Sequence, residues 1–457
     1  MPKSLSLADR TAILMAKLAA ASIRKLNLGL GSNLPGRIAR KISPTVLKNL
    51  SAQSTRGVIA VTGTNGKSTT SGILSSILRS AGFTFAHNRQ GANLVTGITA
   101  SMVETAAWNG DVRADLCLFE IDEAALPVVA REVHINGVVV TNLFRDQLDR
   151  FGELDTTARL ITTGVDINKS QAILNADDPN VAQMKLDGKH LFFGIESTEG
   201  EAAAGSQSEL AYCGNCSEEV RYSRLFYGQL GHWHCPKCNH ARPKPDVYAT
   251  NVVVGATSSR FNLTVAGKEV DCVLPLPGLF NVYNALAAAA AAHWLSVSIP
   301  AIRAGLKDYS TLFGRSERIK INGKEVIVQL IKNPAGASQA VASCVKDPKA
   351  RVMIAINDNL ADGRDISWLW DADFELLGGG GVHIIVSGQR AQDMAVRMKY
   401  AGVDAALITT EPHLQAALNA GLDSLQPGET LWLMPTYTCL LELQKIFKTM
   451  GHAMSGT

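Results

Sequence analysis

Residues 57–69 read Gly57-Val58-Ile59-Ala60-Val61-Thr62-Gly63-Thr64-Asn65-Gly66-Lys67-Ser68-Thr69. The first six are apolar enough to form a buried strand, and residues 67–81 read as a helix. A glycine-bracketed turn joins them. That order lets backbone N–H groups and a helix N-terminus converge on phosphate oxygens. Glycine at 63 and 66 admits the close approach. Thr64, Asn65, Gly66 and Thr69 are expected to cradle a nucleotide. Lys67 is expected to reach its β- and γ-phosphates, and the Ser68 hydroxyl to meet magnesium. The usual spacing of such loops places a first glycine where this chain has Val61, so the loop is a variant.

Outward from the loop, the apolar runs 116–121, 137–141 and 172–175 alternate with helix-like segments, which predicts an α/β fold around a parallel sheet. Residues 247–263 and 270–274 extend it, and 281–295 form an alanine-rich helix. A second αβ rhythm begins near 320. Its strand candidates are 326–331, 352–356, 382–387, 405–408 and 430–433, which predicts a separate doubly wound, Rossmann-like unit. The expected division is an N-terminal helical segment (1–50), a central nucleotide-binding domain (51–318) with an insertion at 209–246, and a C-terminal domain (319–457). No internal repeat is evident. Residues 8–28 read as an amphipathic helix that packs on the next domain, with membrane-surface contact as the alternative.

Of 457 residues, 46% are hydrophobic and 19% charged, and the net charge is +3. This is a core-forming composition. Its charge is too close to neutral to argue for nucleic acid. The early apolar stretch 12–22 is interrupted by Lys17 and is too short to span a bilayer. It resembles no signal peptide, so a reducing cytoplasm is expected. Cys117, Cys272, Cys344 and Cys439 lie in apolar runs and read as buried thiols.

The other four cysteines form two CxxC pairs, Cys213/Cys216 and Cys235/Cys238, with eighteen residues between Cys216 and Cys235. That spacing predicts a four-cysteine zinc ribbon, structural because four thiolates close the tetrahedron. The ribbon reads as a metal staple for the insertion. Glu120 ends an apolar strand in Glu120-Ile121-Asp122-Glu123, where a carboxylate can face magnesium beside a phosphate loop. Asp122 and Glu123 read more readily as helix-capping acids.

The loop GTNGKST resembles that of the Mur ligases and folylpolyglutamate synthases. Three later segments agree in order: Thr141-Asn142 leading to Asp146-Gln147-Leu148-Asp149, Gly278-Leu279-Phe280-Asn281-Val282-Tyr283-Asn284-Ala285, and Phe313-Gly314-Arg315. The resemblance implies a central ATPase domain followed by a smaller domain that closes over the nucleotide. It implies adenine contacts at Asn281 and Asn284, a nucleotide contact at Arg315, and magnesium on Ser68 and Glu120. Two departures stand out. Gln147 replaces the family's histidine. No lysine occurs from Phe151 to Asn168, where a carbamylated one is expected. Both point to an altered acceptor.

After strand 352–356 comes a polar loop, 357–371, dense in carboxylates and carrying Trp368 and Trp370. With the cysteine insertion and Gln147, this loop resembles the MurT family, the Mur-ligase-like subunits of lipid II isoglutaminyl synthases. That resemblance implies ATP-dependent amidation of the α-carboxyl of D-glutamate in the lipid II stem peptide. Ammonia would come from a GatD-type glutaminase subunit, in a heterodimer working at the inner membrane face. It assigns Asp365 as the catalytic carboxylate that orients the partner's histidine, with Asp358, Asp362 and Asp371 competing and helix capping as the plain alternative. The runner-up is a Mur or folylpolyglutamate-type ligase that adds an amino acid.

Overall fold

Strand β1 (Val58–Thr62) is buried along its whole length, because both faces of the sheet it belongs to are covered. Ile59 and Val61 enter one apolar core with Ile73, Leu74 and Ile77 of the following helix. Val58 and Ala60 point the other way, into a core shared with Ala12, Ile13 and Ala16 of the N-terminal helix. The period-two alternation of a strand thus feeds two cores at once. The computed structural model describes residues 5–25, 33–88, 92–144, 154–188, 190–199, 211–255, 257–310 and 315–452.

Further strands follow: β2 (Phe85–His87), β3 (Leu116–Glu120), β4 (Gly137–Val140), β5 (Gln171–Asn175) and β6 (Leu191–Ile195). A hairpin of β7 (Arg221–Tyr227) and β8 (Leu230–His234) stands apart. Then come β9 (Val247–Val254), β10 (Ser259–Val265) and β11 (Lys268–Leu274). Among the described residues the large sheet has nine strands in the order β11-β10-β9-β6-β5-β4-β1-β3-β2. Its pairs are parallel from β2 to β9 and antiparallel from β9 to β11. The chain moves from β1 to β3 on one side and returns to β4 on the other. This reversal opens a crevice at the C-terminal end of β1, where such sheets bind ligands. The helix Leu279–Trp294 crosses the sheet there, with Ala285 to Ala292 all fully buried. Alanine lets it lie close to the helix Lys67–Ser80.

The N-terminal helix Leu7–Lys25 packs on this unit as expected. Its buried Asp9 accepts from Ser43 Oγ at 2.7 Å and Asn49 Nδ2 at 2.9 Å. No described helix is long and apolar enough to cross a membrane.

The second sheet contains β12 (Arg315–Ile321), β13 (Lys324–Gln329), β14 (Ala350–Ala355), β15 (Ile384–Ser387), β16 (Ile408–Thr410) and β17 (Thr430–Pro435), ordered β12-β13-β17-β14-β15-β16. Only β12 runs antiparallel. The fold is therefore α/β with two largely parallel sheets. The expected boundary after residue 318 falls inside β12, which pairs with β13 from Arg315 onward. Residues 405–407, expected to begin a strand, form a 3-10 turn capped by Asp404.

Candidate functional site

The phosphate loop emerges from β1 between the C-terminal ends of β3 and β4. Register places Val61 beside Glu120 and Thr62 beside Val140. Gly63 and Gly66 take φ values of +119° and +87°. A Cβ at Gly66 would stand 2.1 Å from Asn284 Oδ1, so glycine is required by both backbone and space. The loop is held from outside. Asn142 Oδ1 accepts from Asn65 N at 2.9 Å, and its Nδ2 donates to Asn65 O at 3.0 Å. Thr141 Oγ1 donates to Asn65 O at 2.7 Å. Thr64 Oγ1 accepts from Phe144 N and donates to Phe144 O, both at 3.1 Å.

Ser68 Oγ donates to Glu120 Oε1 at 2.9 Å. A hydroxyl and a buried carboxylate meeting beside a phosphate loop form the all-oxygen donor set that suits magnesium. Lys67 does not point into open space. Its Nζ lies 2.7 Å from Glu123 Oε1 and 2.6 Å from Gly63 O. The same Glu123 oxygen accepts from Gly63 N at 3.0 Å. Reading Glu123 as a helix-capping acid is thus corrected: it is a buried partner of the loop. Burial opposes the charge on Lys67, but Glu123, Asp122 and Glu120 outweigh it and hold the ammonium above its ordinary pKa. Burial likewise opposes the Glu123 charge, and Lys67 holds it below the usual range. Asp122 is raised by its burial and by Glu123.

Thr69, Asn281 and Asn284 line one cleft with Gly66 and Asn65. Asn284 Oδ1 accepts from Thr70 Oγ1 at 3.3 Å, and Asn281 Nδ2 donates to Pro277 O at 2.6 Å. The second sheet closes the far side. Asn333, in the turn after β13, donates from Nδ2 to Asn65 Oδ1 at 3.0 Å while its Oδ1 caps the helix Pro334–Cys344 through Gly336 N. Lys332 lines the cleft beside it. The sequence marks 332–336 only as a turn. Neither its contact with the loop nor the role of Glu123 carries a local signal. Arg315 opens β12, but its side chain lies outside the described residues, as do Gln147 and Gly314.

The four cysteines come together, with sulfurs all within 4.8 Å of one another. Cys213 to Cys238 and Cys216 to Cys235 measure 3.5 Å. This excludes disulfides, whose sulfurs sit about 2.05 Å apart, and approaches the ~3.8 Å edge of a tetrahedron with Zn–S bonds of about 2.3 Å. Backbone amides of Glu218, Lys237, Cys238 and His240 approach the sulfurs, as thiolates require. The donor set fits zinc. The hairpin docks through Trp233 Nε1 on Ala176 O at 3.0 Å and the buried pair Arg242–Asp177.

In the loop 357–371, Asp365 Oδ1 accepts from Ser367 N at 2.8 Å, at the start of a 3-10 turn, Ser367–Trp370. Hydrogen bonds from the Ser367 side chain and amide hold it below the ordinary carboxylate range. The competitors differ. Asp358 pairs with Arg390 at 2.5 Å, Asp362 is buried against Thr438, and Asp371 is exposed.

The family model for the MurT ligase C-terminal region matches residues 330–440, and that for the Mur ligase middle domain matches 61–223. A lipid II isoglutaminyl synthase (glutamine-hydrolyzing) subunit MurT from Staphylococcus aureus is 36% identical over 434 residues, 94% of this chain and 95% of that one. The chain belongs to the MurT family. The MurT subunit of Streptococcus pneumoniae is 33% identical, over 92% of this chain and 93% of its own. Among solved structures, a pseudomurein peptide ligase type C from Methanothermus fervidus superposes with a TM-score of 0.66 at 23% identity, covering 86% of this chain and 78% of that one. A MurF from Acinetobacter baumannii gives 0.64 at 20%, covering 91% and 80%. These two share the fold. This MurT-family chain is a ligase subunit, and its phosphate loop, Glu120 and cysteine cluster occupy a Mur-type frame.

Proposed function

We propose that this chain is the ATP-using half of a two-chain lipid II isoglutaminyl synthase. The carrying observation is the loop geometry, with Lys67, Ser68 and Glu120 converging at the end of β1, in a chain that aligns almost end to end with MurT subunits. The reaction would transfer the γ-phosphoryl group of ATP to the α-carboxylate of D-glutamate in the lipid II stem peptide. Ammonia then attacks the carbonyl carbon of that acyl phosphate, phosphate departs, and the amide remains. Gly63 N–H and Lys67 Nζ, which now share the Glu123 carboxylate, are the donors that a phosphate oxygen would take over. Magnesium, held by Ser68 and Glu120, would neutralise charge on the β- and γ-phosphates. Asn281, Asn284 and Arg315 would hold the rest of the nucleotide, and zinc the four cysteines.

Ammonia is assigned to a GatD-type glutaminase partner. Asp365 is half-exposed and charged, and exposed apolar side chains lie on the elements around it: Leu360, Trp370, Leu376, Val396 and Tyr400. Trp370 and Tyr400 touch edge to face at 5.5 Å. Exposed apolar side chains of this kind would suit a partner's surface. Lipid II would be met at the inner membrane face. Leu7, Leu14, Met15 and Leu18 of the N-terminal helix are exposed and would meet that surface. The test is an assay of the chain with its glutaminase partner, lipid II and ATP, supplied with glutamine, ammonium or free amino acids. Amidation with glutamine and ammonium is expected. Product formed only with an amino acid would replace this reading by that of an amino-acid-adding ligase.

A further inference from the structure

The cysteine hairpin does more than fasten an insertion. Its sulfur cluster lies at one end, and its other end reaches the nucleotide cleft. Gln229, in the turn between β7 and β8, is fully buried and donates to Leu143 O at 2.9 Å, next to the segment that grips the phosphate loop. Tyr227, two residues earlier, stacks on Phe144 with ring centroids 5.7 Å apart and planes 21° apart. It meets Tyr283 edge to face at 5.8 Å. Tyr227 is 8% exposed and lines the cleft with Phe280, Asn281 and Asn284. Its hydroxyl has no hydrogen-bond partner among the described residues, although Tyr283, beside it, donates to Asp177 at 2.6 Å. A phenol hydroxyl without a protein partner at a cleft wall is open to water or to a ligand that displaces it.

We propose that Tyr227 contacts the nucleoside part of the bound nucleotide, its ring walling the cleft and its hydroxyl hydrogen-bonding the base or ribose. The position follows from the loop. Gly66 belongs to the phosphate loop, and Thr69, Asn281, Asn284 and Tyr227 line the same cleft with it. The metal-binding hairpin is thereby part of the nucleotide site. This inference rests on the nucleotide reading of the loop.

The test is binding calorimetry on the full chain with two probes, ATP–magnesium and inorganic tripolyphosphate–magnesium, which lacks the nucleoside. Tyr227→Phe keeps the ring and the packing. It is expected to weaken ATP by about 3- to 10-fold, the worth of one neutral hydrogen bond, and to leave tripolyphosphate unchanged. Tyr227→Ala should weaken ATP further, again without affecting tripolyphosphate. Metal content equal to that of the wild type shows that the hairpin has folded in each variant. Unchanged ATP affinity in the Phe variant overturns the hydroxyl contact, and unchanged affinity in both variants overturns the proposal. Equal losses for both probes also overturn it, because the effect would then pass through the phosphate loop. A wild-type chain that binds neither probe would instead overturn the nucleotide reading itself.

Discussion

Lys67→Ala is the substitution the loop motif invites, and the structure makes its outcome more than a loss of turnover. The side chains of Lys67 and Glu123 are 11% and 6% exposed and meet at 2.7 Å. Truncating the lysine leaves the Glu123 carboxylate buried with only backbone N–H donors, Gly63 among them, and the smaller attraction of Lys332. Breaking one side of a buried pair costs about 3–5 kcal/mol, a large part of a typical total stability of about 5–15 kcal/mol. The deficit should depend on pH. In the wild type, Lys67 holds the Glu123 pKa down, so this group contributes stability above its unfolded pKa and loses it as pH falls. In the variant, burial remains without the attraction, so the folded pKa rises above the unfolded one. The variant's stability is then highest at low pH and falls as pH rises through the new value. The gap between the two proteins should widen from pH 5 to pH 8. Urea denaturation of the wild type, Lys67→Ala, Glu123→Gln and the double variant measures both the gap and the coupling. The double variant should recover much of the loss while still failing to turn over ATP. A Lys67→Ala deficit below about 0.5 kcal/mol, equal at pH 5 and pH 8, would refute the buried-pair reasoning, since the pair would then be worth no more than a surface contact.

Purified, unoxidised protein should hold one zinc per chain by elemental analysis. Cys213→Ser or Cys235→Ser should lower both the unfolding midpoint and ATP affinity, because zinc binding is folding energy for the hairpin that carries Tyr227. Asp365→Asn keeps a capping oxygen for Ser367 N, so complex assembly should survive. Glutamine-driven amidation should fall by up to about 10⁴-fold while ammonium-driven amidation falls far less. An equal fall in both would move Asp365 to the ligase site. Burial pushes Asp178 up to about 7, so its folded form holds a proton its unfolded form has lost. Stability from this group is present at low pH and disappears as pH rises toward 7, at up to about 1.4 kcal/mol per pH unit. Asp178→Asn should therefore gain on the wild type between pH 5 and pH 7 in denaturation experiments, and a constant difference would exclude the titration.

What could be read in the sequence was what lies close together along it. The phosphate loop, its strand and its helix are one continuous stretch. Glycine at 63 and 66 and the Lys-Ser pair declare their chemistry through backbone freedom and side-chain type. The two CxxC pairs are equally local, and their sulfurs converge as the spacing predicts. Strand β2, three residues long, leaves no local signal because so short a run carries no periodicity. The relation of Asp365 to Ser367 was legible as a cap because the two are neighbours.

What the tertiary structure alone decided is which distant residues meet at the loop. Glu123 reaches Lys67 because the register of β1 with β3 sets Glu120 beside Val61 and brings the following turn over the loop. Asn333 meets Asn65 across a sequence separation of 268, set by the second sheet resting against the first. Tyr227 enters the cleft because the cysteine hairpin docks on the ends of β5 and β6 through Trp233 and Arg242. Hydrophobic patterning specifies which face of each strand is buried, but not which strand lies beside it. Strand order and register emerge from packing the whole sheet, and they determine which charge faces which.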